Sequence, residues 1–291
     1  MDYLSNGILE IAIARKGAEL QSLRRVTSPA EYLWQGDASY WDRRSPILFP
    51  NVGRVWNNTA QLGGRRYELQ QHGFLRDMLF DKVVDEDRHL AFVAHSDETS
   101  KALWPFDFEV RIDYTLLRNT LTVGWSVKNL DTISMPFQIG AHPGFNYPRF
   151  NADDAVHGFL SFDTEGPLAS TVIVPGGYAG QETFDVPIPT DGLLPLTNHT
   201  FDCDTIVDAT GRVHRVTLHD KDGHPYVTVR HSMPIIALWS PNGGCAPFMC
   251  IEPWHGCCDD AGYEGEFCDR PFVESVAPGQ TWSTTYEIII E

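Results

Sequence analysis

The chain has 291 residues, 42% hydrophobic and 21% charged, with a formal net charge of −17; this is the composition of a folded protein able to bury a sizeable core. A field of that sign repels nucleic acid and anionic membrane surfaces, which are bound through clustered Lys and Arg, and no basic run occurs. No stretch reaches the roughly 20 apolar residues of a membrane helix, and the opening MDYLSNGILEIAIARKGAEL has no basic segment followed by an apolar run, so a cytoplasmic protein without an export signal is expected.

In chain order, the first polar concentration is Arg43-Arg44-Ser45-Pro46-Ile47-Leu48-Phe49-Pro50-Asn51-Val52-Gly53-Arg54. The second, Gln71-His72-Gly73-Phe74-Leu75-Arg76-Asp77, sets His72 and Arg76 four residues apart around a glycine that leaves room for close backbone approach. Ser96–Leu103 carries an N-cap and early acids and is stopped by Pro105, which predicts a short helix. Val110, Ile112, Tyr114 and Leu116, then Leu121, Val123, Trp125 and Val127, alternate with polar residues; they predict two strands joined as a hairpin through Leu117-Arg118-Asn119-Thr120. His142 follows an apolar run and precedes Pro143-Gly144, so it stands at a strand end facing a loop mouth. Residues 175–195 are rich in Pro and Gly and read as a long irregular excursion, of the kind that borders a site or connects strands over the surface. Phe201-Asp202-Cys203-Asp204 is a further polar stretch, and Asp220-Lys221-Asp222-Gly223 carries a turn signal. Phe248-Met249-Cys250-Ile251 reads as a buried strand that ends in Glu252, before Pro253-Trp254. Trp282, Thr284, Tyr286, Ile288 and Ile290 close the chain with another alternating strand. Many strands, little helix, no repeat and no linker predict an all-β fold. We expect a large antiparallel β-sandwich with few short helices, spanning residues 1–291 as one domain.

Several chemistries lack their marks. Five of the six cysteines lie between Cys245 and Cys268 without a C-x-x-C, and Cys257 and Cys258 are adjacent. Neither structural zinc nor a disulfide framework is expected from that spacing, and no metal site is predicted. No glycine-rich loop lies between a strand and a helix, and G-x-S-x-G and H-E-x-x-H are absent. What remains is acid–base chemistry. An imidazole such as His142 titrates near neutrality, though a hydrogen-bonded structural histidine is the plainer alternative. A carboxylate such as Glu252 at the end of a buried strand needs a partner or a raised pKa. It is therefore either a base or half of an ion pair with Arg54 or Arg76. His72 and Arg76 offer hydrogen bonds to hydroxyls or to an anion, or form a salt-bridged loop. Trp254 either stacks on the apolar face of a sugar or belongs to the core.

Taken together and in this order, Lys16-Gly17-Ala18-Glu19-Leu20-Gln21-Ser22-Leu23, the Arg-Ser-Pro-Ile-Leu-Phe-Pro run, His72-Gly73-Phe74, Ala141-His142-Pro143 and Cys250-Ile251-Glu252-Pro253-Trp254 resemble the aldose 1-epimerase (galactose mutarotase) superfamily, in its LacX-like bacterial branch. The resemblance covers nearly the whole chain. It implies a galactose mutarotase-like supersandwich with the sugar in an open cleft and interconversion of hexose anomers without a cofactor. It also implies His142 as general acid, Glu252 as general base, His72 as a second active-site histidine, Arg54 or Arg44 as an active-site arginine and Asp204 as a substrate-binding aspartate. Gly53-Arg54-Val55-Trp56-Asn57-Asn58 lacks the second arginine of the family's longer Gly-Arg-x-x-Asn-Arg pattern, so Arg44, Arg54 and Arg76 stay alternatives for substrate contact. Ring opening needs a proton taken from the C1 hydroxyl and another given to the ring oxygen, and we expect acid and base on opposite sides of the C1–O5 bond. The expected pH profile is a bell with Glu252 setting the acid limb and His142 the alkaline limb. A hexose 6-phosphate, clamped by Arg54 and Arg76, is the alternative substrate; a non-catalytic carbohydrate-binding protein is the alternative function.

Overall fold

A computed structural model describes all 291 residues. Two large antiparallel sheets form the body of the molecule. The first has nine strands, in the order Leu194–Leu196, Gly158–Phe162, Arg215–His219, Pro225–His231, Thr281–Ile290, Thr120–Asn129, Phe108–Leu117, His89–His95 and Asp81–Glu86. The second runs Tyr178–Val186, Leu168–Val174, Ile206–Asp208, Ile235–Trp239, Phe248–His255, Ile139–Ala141 and Ile47–Leu48, with Gly144–Asn146 also paired to Phe248–His255. A smaller sheet of Asp2–Ser5, Leu9–Ile13 and Leu20–Arg25 precedes them.

Period-two patterning accounts for the first sheet. Thr120–Asn129 buries every second side chain, Leu121, Val123, Trp125 and Val127, and leaves the residues between them half-buried. Leu117 pairs directly with Thr120, so the expected hairpin turns in two residues, with Arg118 in the left-handed region (φ 55°). Inward residues of this sheet and those of the second, among them Ile236, Leu238, Met249 and Ile251, join one core of 57 buried residues. At about 25 cal/mol per Å² of apolar area, an aromatic of the size of Trp125 contributes several kcal/mol to that core. The expected helix is present as Glu98–Leu103. Asp97 caps it by accepting from the Ser100 N–H (2.7 Å), and Ser100 Oγ accepts from the Asp97 N–H in return.

Two expectations need correction. Residues 175–195 are not irregular throughout. They hold the nine-residue strand Tyr178–Val186, which doubles back on Leu168–Val174 as the edge of the second sheet. Nor does the strand holding Glu252 end there; it runs through Pro253 to His255. A proline inside a sheet normally costs a ladder hydrogen bond. Here the neighbouring strand is itself interrupted. Gly140 pairs with Trp254 and Gly144 with Cys250, and the break between them is His142-Pro143. By that register Pro253 lies opposite Ala141, whose carbonyl accepts the Trp254 indole N–H (3.1 Å) in place of a ladder bond. The register is unchanged across the interruption, which sets His142 opposite Glu252.

Candidate active site

Along Phe248–His255, Met249 and Ile251 point into the main core, which puts Cys250, Glu252 and Trp254 on the opposite face. There they meet a cleft of ≈ 380 Å³ lined by Trp41, Gln71, His72, Arg76, His142, Asp204, Thr205, Trp239, Glu252, Trp254 and Cys258, with Gly53, Ile173, Gly177 and Val207 completing the wall. Five of the expected site residues, His72, Arg76, His142, Asp204 and Glu252, therefore converge on one cavity, with Trp254 as its floor.

His142 Nε2 and Glu252 Oε2 lie 3.2 Å apart, and neither residue is more than 8% exposed. The alignment is poor for a hydrogen bond, which leaves Glu252 Oε2 buried without a partner, and His142 Nδ1, on the other side of the ring, is likewise buried and unpartnered. Such atoms are costly to leave unpaired. Glu252 makes no ion pair with Arg54 or Arg76, which removes the structural alternative for it. Burial pushes the Glu252 carboxyl well above the usual range, with Asp204 adding to the effect. Burial likewise pushes the His142 imidazole down, to about 3, with Arg76 adding to it. Both groups are driven toward neutrality, so a single proton on Glu252 satisfies the pair.

His72 sits in the left-handed region (φ 66°) with its ring edge-on to His142 at 5.5 Å. Its Nδ1 accepts from the Gly53 N–H at 3.1 Å, which places the ring proton on Nε2. Burial, with His142 and Arg76 nearby, lowers its pKa well below the ordinary value; His72 is a neutral donor to the cleft. The turn that holds it requires Gly73, since a Cβ there would lie 2.1 Å from the Phe49 carbonyl oxygen. Gly140 does the same service for Trp254, whose ring would be 2.5 Å from a Cβ at position 140. Trp254 donates its indole N–H to the Ala141 carbonyl (3.1 Å) and packs on Leu48, Val52, Val207, Ile235 and Ala237.

The arginines separate. Arg76 lines the cleft and donates to the Gln71 carbonyl at 2.8 Å, while its Nε is buried without a partner. The salt bridge open to it in the sequence is not made: Asp77 pairs with Lys16 (2.9 Å) and Arg43 (3.1 Å). Arg54 is outside the lining; its side chain runs along Gly177 at the rim. Arg44 turns away to the Gln21 carbonyl (2.8 Å). Asp204 is exposed at the mouth, its Oδ1 accepting from Thr205 N–H and Oγ1–H at 2.8 and 3.0 Å.

Three contributors were not singled out in the sequence. Trp41 stacks on the His142 ring (4.7 Å between centroids, 27°), and Trp239 meets it edge-on at 5.8 Å. Gln71 supplies the carbonyl that holds Arg76. Their only signal was position: Trp41 precedes the Arg43–Arg54 run by two residues, and Gln71 precedes His72 by one. The fold also assembles two groups of donor atoms with metal-like spacing that the linear spacing does not reveal. In Asp220, Asp222 and His224, both aspartates are engaged by Arg149. The other, His142, Cys250 and Glu252, is the acid–base pair with a thiol that burial, with Glu252 beside it, holds protonated. All six thiols are unpaired, and Cys258 lines the cleft.

Comparison with known proteins agrees with this architecture. A family model described as aldose 1-epimerase matches residues 3–288. The chain is similar to the plasmid-encoded protein LacX of Lactococcus lactis subsp. lactis, with 27% identity across 99% of this chain and 98% of the relative. Among solved structures it is similar to a galactose mutarotase-like protein from Lactobacillus casei ATCC 334, with a TM-score of 0.93, 30% identity and full coverage of both chains. It is also similar to a galactose mutarotase related enzyme from Lactobacillus acidophilus, with a TM-score of 0.91, 26% identity and coverage of 100% of this chain and 97% of the other. An antiparallel supersandwich, its cleft on the outer face of the second sheet, and a family match across almost every residue lead to one conclusion: the chain belongs to the aldose 1-epimerase superfamily, in its LacX-like branch.

Proposed function

We propose that this protein, acting as one domain over residues 1–291, interconverts the α and β anomers of a free hexose by acid–base opening and closing of the sugar ring, with no cofactor. The observation that carries the reading is the His142–Glu252 pair, 3.2 Å apart and buried at the cleft floor. In our reading the two groups, side by side at this distance, serve O1 and O5 together, in place of the expected arrangement on opposite sides of the C1–O5 bond. That suits the chemistry, because O1 and O5 share one carbon and are closer together than two hydrogen-bonded heavy atoms. A pair spaced at hydrogen-bond distance faces both oxygens at once.

In the opening step the Glu252 carboxylate takes the O1 proton, the C1–O5 bond breaks as C1=O1 forms, and the His142 imidazolium gives its proton to O5. The pair then holds its proton on Glu252, the arrangement that burial favours. The aldehyde end rotates about C1–C2, and closure on the other face returns both protons. Each turnover visits both placements of one shared proton, so neither should be strongly preferred once sugar replaces water in the cleft. His72 Nε2–H and Arg76 are placed to hold sugar oxygens, and Asp204 closes the mouth.

A free hexose is favoured over a hexose 6-phosphate because Arg76 is the only Lys or Arg in the lining and Arg54, the other half of a phosphate clamp, lies outside it. The six unpaired thiols suit a reducing compartment, and we place the protein in the cytoplasm. Polarimetry of freshly dissolved α-glucose, α-galactose and their 6-phosphates, with and without protein, tests the reading. Faster relaxation of a free hexose is the expected result; no acceleration of any of them leaves a non-catalytic carbohydrate-binding protein.

A further inference from the structure

A histidine used for proton transfer is commonly held in plane by a hydrogen bond from its second ring nitrogen to a carboxylate or a backbone carbonyl. In His142 the Nδ1 is buried with no partner at hydrogen-bond geometry, and the only backbone close to the ring is the residue's own. Something else must set the plane of the ring, and what touches its face is Trp41. We propose that Trp41 is a positioning residue for His142: its indole roofs the imidazole, fixes the ring beside Glu252 and keeps water off it. This rests on the acid–base reading of the pair given above.

The roof is built, and not a loose surface aromatic. The Trp41 N–H donates to the Asp37 carbonyl (2.9 Å), and the Trp41 carbonyl accepts the Trp34 indole N–H (2.8 Å). Just beyond, the backbone N–H groups of Arg44 and Ser45 both donate to one oxygen of the buried Glu19 (3.0 and 2.9 Å), which pins the end of the loop. Trp34 stacks on Phe248 (4.3 Å, 15°), and the Trp41 ring lies nearly parallel to the same Phe248 (5.9 Å, 15°). The imidazole thus continues an aromatic stack that starts on the strand carrying Glu252. The charged and titratable groups facing it come from every other side: Glu252 and the Cys250 thiol from that strand, His72 and Arg76 from the 71–77 turn, and Asp204 from the mouth. Trp41 supplies no charge. Its effect is exclusion of water and control of orientation. A roof predicts a fall in turnover with substrate affinity little changed, whereas a sugar-stacking platform predicts a rise in KM.

The test is NMR titration of ¹⁵N-labelled histidine rings, with His142 assigned by difference from His142→Asn, beside steady-state rates. In Trp41→Ala we expect the His142 midpoint to rise by about one pH unit or more as water reaches the ring. We expect kcat to fall about tenfold or more through lost alignment, with KM within about threefold. Trp41→Phe, which keeps a ring over the imidazole, should recover most of both. Should Trp41→Ala fail to fold, Trp34→Phe removes the indole donor to the Trp41 carbonyl while keeping a smaller ring on Phe248, and should move both quantities the same way by less. An unchanged His142 titration, or a raised KM with kcat intact, overturns the proposal. The ring titration is read without turnover. A wild-type protein that accelerates no mutarotation yet shows a Trp41-dependent His142 midpoint would reject the proposed function and leave the roof standing.

Discussion

The two large sheets follow one antiparallel rule and differ in what they place on their faces. In the nine-stranded sheet, Thr120–Asn129 buries Leu121, Val123, Trp125 and Val127 and turns Thr122, Ser126 and Lys128 outward. In the second sheet, Phe248–His255 is buried on both faces, and one of them carries a thiol, a carboxyl group and an indole. Its neighbour breaks at His142-Pro143, and atoms of Glu252 and His142 are left unpartnered. The first sheet gains stability from every alternate residue. The second keeps the His142–Glu252 pair buried, with unpartnered atoms, at a cost that the shared core must offset.

That contrast can be broken most sharply at Glu252. Glu252→Gln should lower mutarotation by about 10²–10⁴-fold, the usual contribution of a general acid–base group. Stability should hold or rise by roughly 0.5–2 kcal/mol, since a buried carboxyl with an unpartnered oxygen is replaced by a neutral isostere; polarimetry and chemical denaturation read the two quantities. Activity within a few-fold of wild type would take proton transfer away from this strand. Trp125→Ala is the mirror experiment. It should cost about 3–5 kcal/mol in denaturant unfolding while the rate per folded molecule stays near wild type, and a large loss of kcat at full folding would show that the sheets are not separable.

Smaller effects refine the cleft. His72→Ala removes a neutral Nε2–H donor and should lower kcat/KM by about tenfold, the value of one hydrogen bond to a substrate oxygen. Arg76→Ala should cost a similar factor on a free hexose, whereas Arg54→Ala, outside the lining, should stay within about threefold. Equal and large losses from Arg54→Ala and Arg76→Ala, confined to hexose 6-phosphates, would instead reveal a phosphate clamp.

Legibility in the sequence divides along the same line. The strands of the first sheet were readable because one face is apolar and the other polar, as in Val110–Leu116 and Leu121–Val127. Glu252, His142 and His72 were readable because each breaks a local rule: a carboxylate in an apolar run, and histidines set against Pro or Gly. Tyr178–Val186 was hidden because an edge strand with a single buried side chain, the rest half-buried or exposed, has little alternation to show. Pro253 ended the strand too early in the linear reading, since the indole of Trp254 that takes the place of its ladder bond to Ala141 does so only in three dimensions. The side-by-side placement of His142 and Glu252, the roof of Trp41 and the outward turn of Arg54 are likewise tertiary facts that no spacing along the chain encodes.

The pH profile changes sign with the structure. The sequence assigned the acid limb to Glu252 and the alkaline limb to His142; burial inverts that order by raising the carboxyl and holding the imidazole to about 3. The pair then carries one proton between the lowered titration of His142 and the raised titration of Glu252. It gains a second only as His142 charges and loses its last only as Glu252 ionises. The most direct test is kcat/KM for mutarotation of the preferred free hexose, followed by polarimetry across the pH range and corrected for the spontaneous rate. A plateau is predicted between the two limbs, with the acid limb well below the ordinary histidine value of about 6.5 and an alkaline limb that disappears in Glu252→Gln. An acid limb at that ordinary value, with activity still climbing into alkaline solution, would contradict a shared proton and with it the central claim.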